Sequence, residues 1–282
     1  MIPEPKSSVV LITGTSSGIG LHAAIAAARA GHTVVATMRN LEGARAVRDA
    51  AADAGVSLDI RRLDVTEPQA ATDAVAETIA RHGRLDAVIN NAGSGRLGTI
   101  ENETVDAVRA VMEVNFFGVV ALTRAALPHL RGTRGRLITV SSVGGVVGQP
   151  FNEAYCAAKF AVEGFMESLA PVVATAGVSV TVVEPGAVAS SFVANVGRDN
   201  TQTGPANDPY ASGLQAYLAR AASSFGSAQS AQSAGEFVAA LLERDQPPFR
   251  VQTSEAAHQF VAVKLTDLDG SAVQRMTAAW LG

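Results

Sequence analysis

Residues 9–20 read VVLITGTSSGIG, and the change of character inside that stretch decides how the rest of the chain is read. Val9 to Thr13 is a short β-branched run, the composition of a strand buried on both faces. Gly14, Gly18 and Gly20 follow at once, with Ser16 and Ser17 between them, and Ile19 opens an alanine-rich pattern of helical period, IGLHAAIAAARAG. A strand that turns through glycines straight into a helix leaves the first helical N–H groups unpaired. They point, at the positive end of the helix dipole, toward whatever lies over the turn. That is a phosphate site. The glycine spacing is not the G-x-G-x-x-G of most dinucleotide folds, so the placement between first strand and first helix carries the inference, not the triplet itself.

Outward from that turn, the hydrophobic period keeps switching between short β-branched runs and longer helical patterns. The strands expected are VVLIT, TVVATM, SLDIRRL, LDAVIN, GRLITVS, VSVTVVE and a weaker FRVQT. Helices are expected at IGLHAAIAAARAG, LEGARAVRDAAADAG and EPQAATDAVAETIARHG, closed by Gly31, Gly55 and Gly83, and at the long run TVDAVRAVMEVNFFGVVALTRAALPHL. The alternation predicts an α/β chain of Rossmann type: a doubly wound, mostly parallel sheet of seven strands with helices on both faces, in a single domain over residues 1–282. Only residues 187–235 break the rhythm. This Ser/Ala/Gly-rich insert carries Phe192, Tyr210, Tyr217 and Phe225 and reads as a mobile flap over a pocket.

Composition excludes several classes of function. A net charge of −4 with no basic block argues against nucleic acid or an anionic membrane as the main partner. MIPEPKSS lacks an apolar targeting segment, and no apolar stretch has the length of a membrane span, so a cytoplasmic protein is expected. The single cysteine, Cys156, stands among alanines with no metal-ligand cluster, which reads as packing; no metal is expected.

AYCAAKFAVEGF, residues 154–165, looks like a helix meant for burial, yet it carries Tyr155 and Lys159, four apart and therefore on one face. Phenol and ammonium can share a site there, or both can lie over the surface with their tips in water. The odds change when the motifs are taken together: TGTSSGIG, NNAG at 90–93, Asn115, SSVGG from 141 and YCAAK, in that order, resemble the short-chain dehydrogenase/reductase family over nearly the whole chain. SVGGVVGQPFNEAYCAAKFAVEGFMESLA, TMRNLE and FRVQTSE are similar to its hydroxysteroid and retinol dehydrogenase branch.

The resemblance implies a nicotinamide-dependent oxidoreductase. Reducing a ketone develops negative charge on oxygen, and a proton donor must lie within hydrogen-bond reach of it. Tyr155 is that donor, and an ammonium at Lys159 favours the phenolate and so lowers the phenol's pKa. By motif, Lys159 also meets the nicotinamide ribose, Ser142 the substrate oxygen, and Asn115 a water linking the lysine to solvent. Ser142 could equally be a turn residue; Asn115, inside a helix, is mildly unfavourable without a polar role.

Cofactor choice is read at the end of TVVATMRN. An acidic residue there would take the ribose hydroxyls of NAD, whereas Arg39 suits a 2′-phosphate, so NADP(H) is preferred, with NAD(H) possible. The resemblance further assigns Gly14, Ser16, Ser17, Gly18, Ile19 and Gly20 to the pyrophosphate turn and Asp64 with Val65 to the adenine. Asn91, Ala92 and Gly93 line the cofactor's other side, and the end of VVEPG with Pro185, Gly186 and Val188 holds the carboxamide. Arg39 could instead be a solvated charge, and NNAG a plain turn.

The substrate is expected to be a small hydrophobic ketone or alcohol, steroid- or retinoid-like, against Ser142, Val143, Gly144, Gln149, Tyr155, Tyr217 and Phe225. Ala158 and Ser190 depart from the family pattern by small changes. Gln149 and Arg220, in a mostly apolar pocket, speak against an estrogen-specific enzyme. Two alternatives remain: a reductase of β-keto acyl thioesters, thinly supported by Arg96 and Arg220, and a non-catalytic dinucleotide sensor. The two long helices carry more apolar residues than one face requires, and by resemblance they pair as a four-helix bundle in a homodimer or homotetramer.

Overall fold

The structure is a computed structural model that describes residues 7–190, 208–226 and 228–281, with the backbone path alone at Ser224 and Phe225. All seven expected strands form: β1 (Val9–Ile12), β2 (Thr33–Met38), β3 (Asp59–Arg62), β4 (Ala87–Asn90), β5 (Arg136–Val140), β6 (Ser179–Glu184) and, after a two-residue pair β7 (Val188–Ala189) and β8 (Gln229–Ser230), β9 (Arg250–Gln252). They make one sheet in the order β3-β2-β1-β4-β5-β6-β9, and every pair is parallel.

A parallel sheet needs both faces covered, and the period of two along β1 divides them. Val10 and Ile12 face α1 (Gly18–Arg29) and α8 (Ala231–Ala240), packing on Ala23, Ala24, Ala27 and Val238. Val9 and Leu11 face the opposite layer of α3 (Pro68–His82), α5 (Gly118–Thr133) and α6 (Glu153–Ala174), among Val75, Leu122, Leu130 and Met166. Each fully buried Leu or Ile in these layers stabilises the fold by roughly 1.5–3 kcal/mol. The remaining helices are α2 (Ala44–Asp53), α4 (Val105–Met112), α7 (Ala211–Phe225), α9 (Glu255–Leu265) and α10 (Ser271–Ala278). None of the described helices is long and apolar enough to cross a membrane.

One expectation is corrected. The long run from Thr104 is not one helix: α4 and α5 are separated by a π turn, Glu113–Phe117. The side-chain amide of Asn115 donates to the Val111 carbonyl at 2.9 Å, the acceptor that its own backbone N–H would take in an α-helix. The helix widens by one residue where this asparagine sits. Within the 187–235 insert, the described residues hold all of α7, β7, β8 and the start of α8. Residues 191–207, Phe192 included, lie outside the described residues.

Helix α7 is held by aromatics from distant parts of the chain. Tyr217 is buried against Phe151 and Trp280, with ring centroids 5.7 and 6.4 Å away, and its hydroxyl accepts from the Asn152 side-chain amide at 2.7 Å. Trp280 stacks on Phe260 at 5.9 Å, and the Arg220 guanidinium lies over its ring at 4.6 Å. At the start of α7 the Tyr210 hydroxyl donates to Glu101 at 2.7 Å, and Asn102 donates to Asp208 at 2.9 Å, tying α7 to the segment after β4.

Candidate active site

The order of the strands reverses at the β1/β4 pair: β1 leads through α1 to β2 on one side, while β4 lies on the other. Segments leaving the carboxyl ends of these strands therefore diverge, and a crevice opens between them. Its floor is the turn from Thr13 to Gly20. Gly14 has φ +69, and a β-carbon there would lie 2.8 Å from the Ala92 Cα; at Gly20 a β-carbon would collide with the Asn91 amide and the Gly14 carbonyl. Asn91 accounts for that crowding: its Nδ2 donates to the Thr13 and Gly14 carbonyls at 2.9 and 3.0 Å. Thr13 Oγ1 in turn accepts from the Asn91 and Ala92 amides. NNAG is thus a clamp on the glycine turn. Ser16 and Ser17 are exposed over it and Ile19 is half-buried. A backbone cradle that no side chain can fill, at a helix N-terminus, fits a dinucleotide pyrophosphate.

On the far side of the crevice, β5 ends at Val140, and after Ser141 the next residue, Ser142, caps a short 3-10 turn, its hydroxyl accepting from the Gly144 N–H at 3.0 Å. The Val143 N–H donates to the Pro185 carbonyl at 3.0 Å, which joins this turn to the bend after β6, where Gly186 is half-buried and Val188 buried. Helix α6 begins at Glu153, so Tyr155 and Lys159 project from its first two turns. The Tyr155 hydroxyl shares a hydrogen bond with Ser142. Lys159, 4% exposed, donates from Nζ to the Val140 carbonyl at 3.0 Å and lies 5.8 Å from the Tyr155 ring centre.

The π turn supplies the fourth residue. Asn115 is fully buried, and its Nδ2 donates to the Ser94 and Val111 carbonyls at 2.8 and 2.9 Å, which leaves Oδ1 buried without a hydrogen-bond partner among the described residues. A β-carbon on Gly93 would lie 3.0 Å from that oxygen and 3.7 Å from Lys159 Nζ. Both atoms look into one small space over Gly93, large enough only because the residue is glycine. Ser142, Tyr155, Lys159 and Asn115 are thereby brought together.

Electrostatics depart from expectation at the phenol. Burial pushes Tyr155 up to about 12, and the hydrogen bond to Ser142 only partly opposes it; the expected lowering by Lys159 does not prevail. Burial also brings Lys159 down to about 8, with Glu163 acting the other way. At neutral pH the pair is a protonated phenol beside an ammonium that titrates on the alkaline side.

At the adenosine end, Met38 is buried while Arg39 is exposed, with no hydrogen bond or ion pair to the described residues. Asp64 Oδ1 accepts from the Thr66 N–H and hydroxyl at 3.0 and 2.7 Å. Partial burial raises its pKa, but the Thr66 bonds and the charges of Arg39 and Arg62 outweigh this and hold the carboxyl below its usual range. Val65 meets the start of α5 so closely that a β-carbon on Gly118 would lie 2.8 Å from it.

Of the expected substrate wall, Val143 and Gly144 are buried beside Ser142, and a β-carbon on Gly144 would touch Gln149 Nε2, Ser142 Oγ and Tyr155 Cε1, each at 3.3 Å. Gln149 therefore presents an amide beside the phenol. Tyr217 supports the wall from behind, packed on the protein's own Phe151 and Trp280. The Phe225 side chain lies outside the described residues.

One cluster escaped the sequence reading. Glu163, Glu184 and Arg250 meet beneath the Ser142 turn, with Arg250 Nε 2.7 Å from Glu184 and Nη2 3.3 Å from Glu163. Burial, with repulsion from Glu163, pushes Glu184 up to about 7 against the Gln252 and Arg250 contacts. The signal was visible: a carboxylate closing the apolar strand VSVTVVE, and another one helical turn after Lys159.

Comparison with known proteins adds family context. The family model for short chain dehydrogenase matches residues 8–201. Retinol dehydrogenase 8 of Bos taurus is 36% identical, over 96% of this chain and 88% of the relative. The human 17-beta-hydroxysteroid dehydrogenase type 1 is 36% identical, over 94% of this chain and 83% of its own. The crystal structure of a short-chain dehydrogenase from Streptomyces avermitilis superposes with a TM-score of 0.79 at 30% identity, covering 98% of each chain.

Proposed function

The chain belongs to the short-chain dehydrogenase/reductase family and is an NAD(P)-dependent oxidoreductase acting on CH–OH groups, and from that premise we propose that it interconverts a hydrophobic ketone or aldehyde with its alcohol, using NADP(H). The observation that carries the reading is the convergence of Ser142, Tyr155, Lys159 and Asn115 on the carboxyl edge of the sheet, beside a glycine turn shaped for a pyrophosphate.

When bound, the nicotinamide supplies or accepts the hydride. The residues do the rest. The Ser142 hydroxyl and the Tyr155 phenol, already hydrogen-bonded to each other, address the same substrate oxygen. As that oxygen gains charge, the phenol transfers its proton, and its raised pKa keeps it protonated and ready to donate at neutral pH. Lys159 stabilises the phenolate that results, held in place by the Val140 carbonyl. The unpaired Oδ1 of Asn115 suits a water that passes a proton on from the lysine. Arg39, exposed and uncommitted, is the group for a 2′-phosphate.

Support for a lipophilic substrate comes from the apolar wall at Val143 and Gly144 and from relatives named for retinol and for 17-beta-hydroxysteroids. Steady-state assays following NADPH absorbance should give a higher kcat/KM for a steroid or decalin-type ketone than for a short polar keto acid. A preference for the keto acid overturns the reading, a preference for a β-keto acyl thioester favours the acyl-reductase alternative, and absence of any turnover favours a dinucleotide sensor. Self-association belongs to the same proposal. Phe117, Phe160 and Val172 on the π turn and α6 are 49%, 41% and 64% exposed. Beside them a groove of about 330 Å³ has an apolar floor of Val120, Leu127, Pro128 and Phe165, with Thr123, Arg124 and Arg131 also lining it. A homodimer covering this face should sediment as such at micromolar concentration, and a strict monomer refutes it.

A further inference from the structure

Beneath the phenol and ammonium lies a buried set of charges that does not balance by itself. Glu163 and Glu184 have side chains 7% and 0% exposed, and a single guanidinium, that of Arg250 from β9, faces both. Arg250 also meets Glu167 at 3.2 Å, but that carboxylate is 65% exposed and largely neutralised by water. Two buried carboxylates compete for one guanidinium, and burial holds both above the usual carboxylate range, so whichever of them is ionised gains from a second cation nearby. Among the described residues the remaining buried cation is Lys159, four residues before Glu163 and on the same face of α6.

We propose that Glu163 is a positioning residue for Lys159: its buried carboxylate is the counter-charge that keeps the ammonium protonated and fixed on the Val140 carbonyl. The inference rests on Lys159 being the active-site cation, and it adds the group that sets that cation's charge. Geometry supports it from three sides. The ammonium's hydrogen-bond partner is a neutral carbonyl, so it needs a charge from elsewhere. Arg250 meets Glu163 through Oε2 alone, at 3.3 Å, and among the described residues the carboxylate's only other polar neighbour on this side is the uncharged Ser141 hydroxyl, so its charge is not exhausted by Arg250. A β-carbon on Gly145 would lie 3.0 Å from Glu163 Cγ and 2.6 Å from Ser141 Oγ, so the Ser142 turn presses Glu163 into place.

The titratable and charged surroundings are few. On α6 they are Tyr155, Lys159 and Glu167, and from the sheet Glu184 of β6 and Arg250 of β9. Gln252 donates to Glu184 at 2.8 Å and faces exposed His258 at 3.1 Å. Burial lowers Lys159 to about 8, and Glu163 acts in the opposite direction. Deleting the carboxylate removes that support, so the ammonium should lose its proton at still lower pH.

The chain has three lysines, Lys6, Lys159 and Lys264, so side-chain NMR of lysine-labelled protein without cofactor can follow Lys159 directly. In Glu163→Gln the Lys159 midpoint should fall by about one pH unit, a tenfold change in acidity, and the alkaline limb of NADPH binding should move down with it. Glu167→Gln, on the same arginine but solvated, should leave the midpoint in place. If Glu163→Gln does not fold, Glu163→Asp keeps the charge but retracts it and should give a smaller fall. An unchanged Lys159 midpoint in either folded Glu163 variant overturns the proposal, as does an equal shift in Glu167→Gln. Full activity in Lys159→Met would instead overturn the reading of Lys159 itself, whatever the NMR shows.

Discussion

On the dinucleotide side of the crevice, shape comes from the main chain; on the substrate side, from side chains that meet across long stretches of sequence. Thr13, Gly14, Asn91 and Ala92 are joined by hydrogen bonds that involve a backbone atom in every case. The wall around α7 depends on Asn152 with Tyr217, Glu101 with Tyr210, and Arg220 over Trp280. A backbone cradle is tied to the sheet and costs little to keep; a side-chain wall can be rebuilt residue by residue without disturbing the cradle. One scaffold can thus keep its cofactor chemistry while its substrate changes.

Substitutions on the two sides should behave accordingly. The largest effect is expected where the two meet: Tyr155→Phe keeps the ring and removes the transferable proton, so kcat should fall by roughly 100-fold or more. NADPH affinity, measured by fluorescence titration, should hold, because the cradle is untouched. Near-parental turnover would remove the phenol from the mechanism. Next comes Arg39→Asp, which replaces an attractive charge by a repulsive one beside a 2′-phosphate and should weaken NADPH by about 10- to 100-fold. NADH should change far less; equal loss of both would show that Arg39 acts on folding, and unchanged NADPH affinity would show that it merely faces water. The smallest effect belongs to the wall. Tyr217→Phe loses one hydrogen bond to Asn152 and should cost about 1 kcal/mol of stability, a shift of roughly 2 °C in Tm. It should alter KM for a bulky ketone and leave NADPH binding alone; a change in NADPH affinity would mean that the two sides are coupled.

The same division explains what could be read from sequence. Strands and helices of the scaffold follow from local period, and all seven strands were expected within two residues of their observed ends; in the central strands burial on both faces writes a continuous apolar, largely β-branched run, which the edge strand β3 lacks. The motif residues Ser142, Tyr155, Lys159 and Asn115 were legible as a set through the family resemblance. The π turn was not, since its cause is one side-chain bond from Asn115 to Val111 that leaves the hydrophobic period almost unchanged. Nor was the partnership of Glu163, Glu184 and Arg250, which joins residues up to 87 positions apart through sheet order alone. The phenol's direction was misread for a related reason. The lysine four residues away was visible, whereas the depth of burial that outweighs it is a property of the assembled fold.

Trp280 is the sole tryptophan in the chain, and it stands where Phe260, Tyr217 and Arg220 converge. The molecule therefore carries its own optical label at the seam between α7 and the carboxyl-terminal helices. Indole emission responds to a cation over the ring and to exposure to water, so moving Arg220 by even a few ångströms should register as a change in intensity or colour. Mixing the protein with a ketone in a stopped-flow fluorimeter would then time any displacement of α7, with no dye attached and no residue replaced.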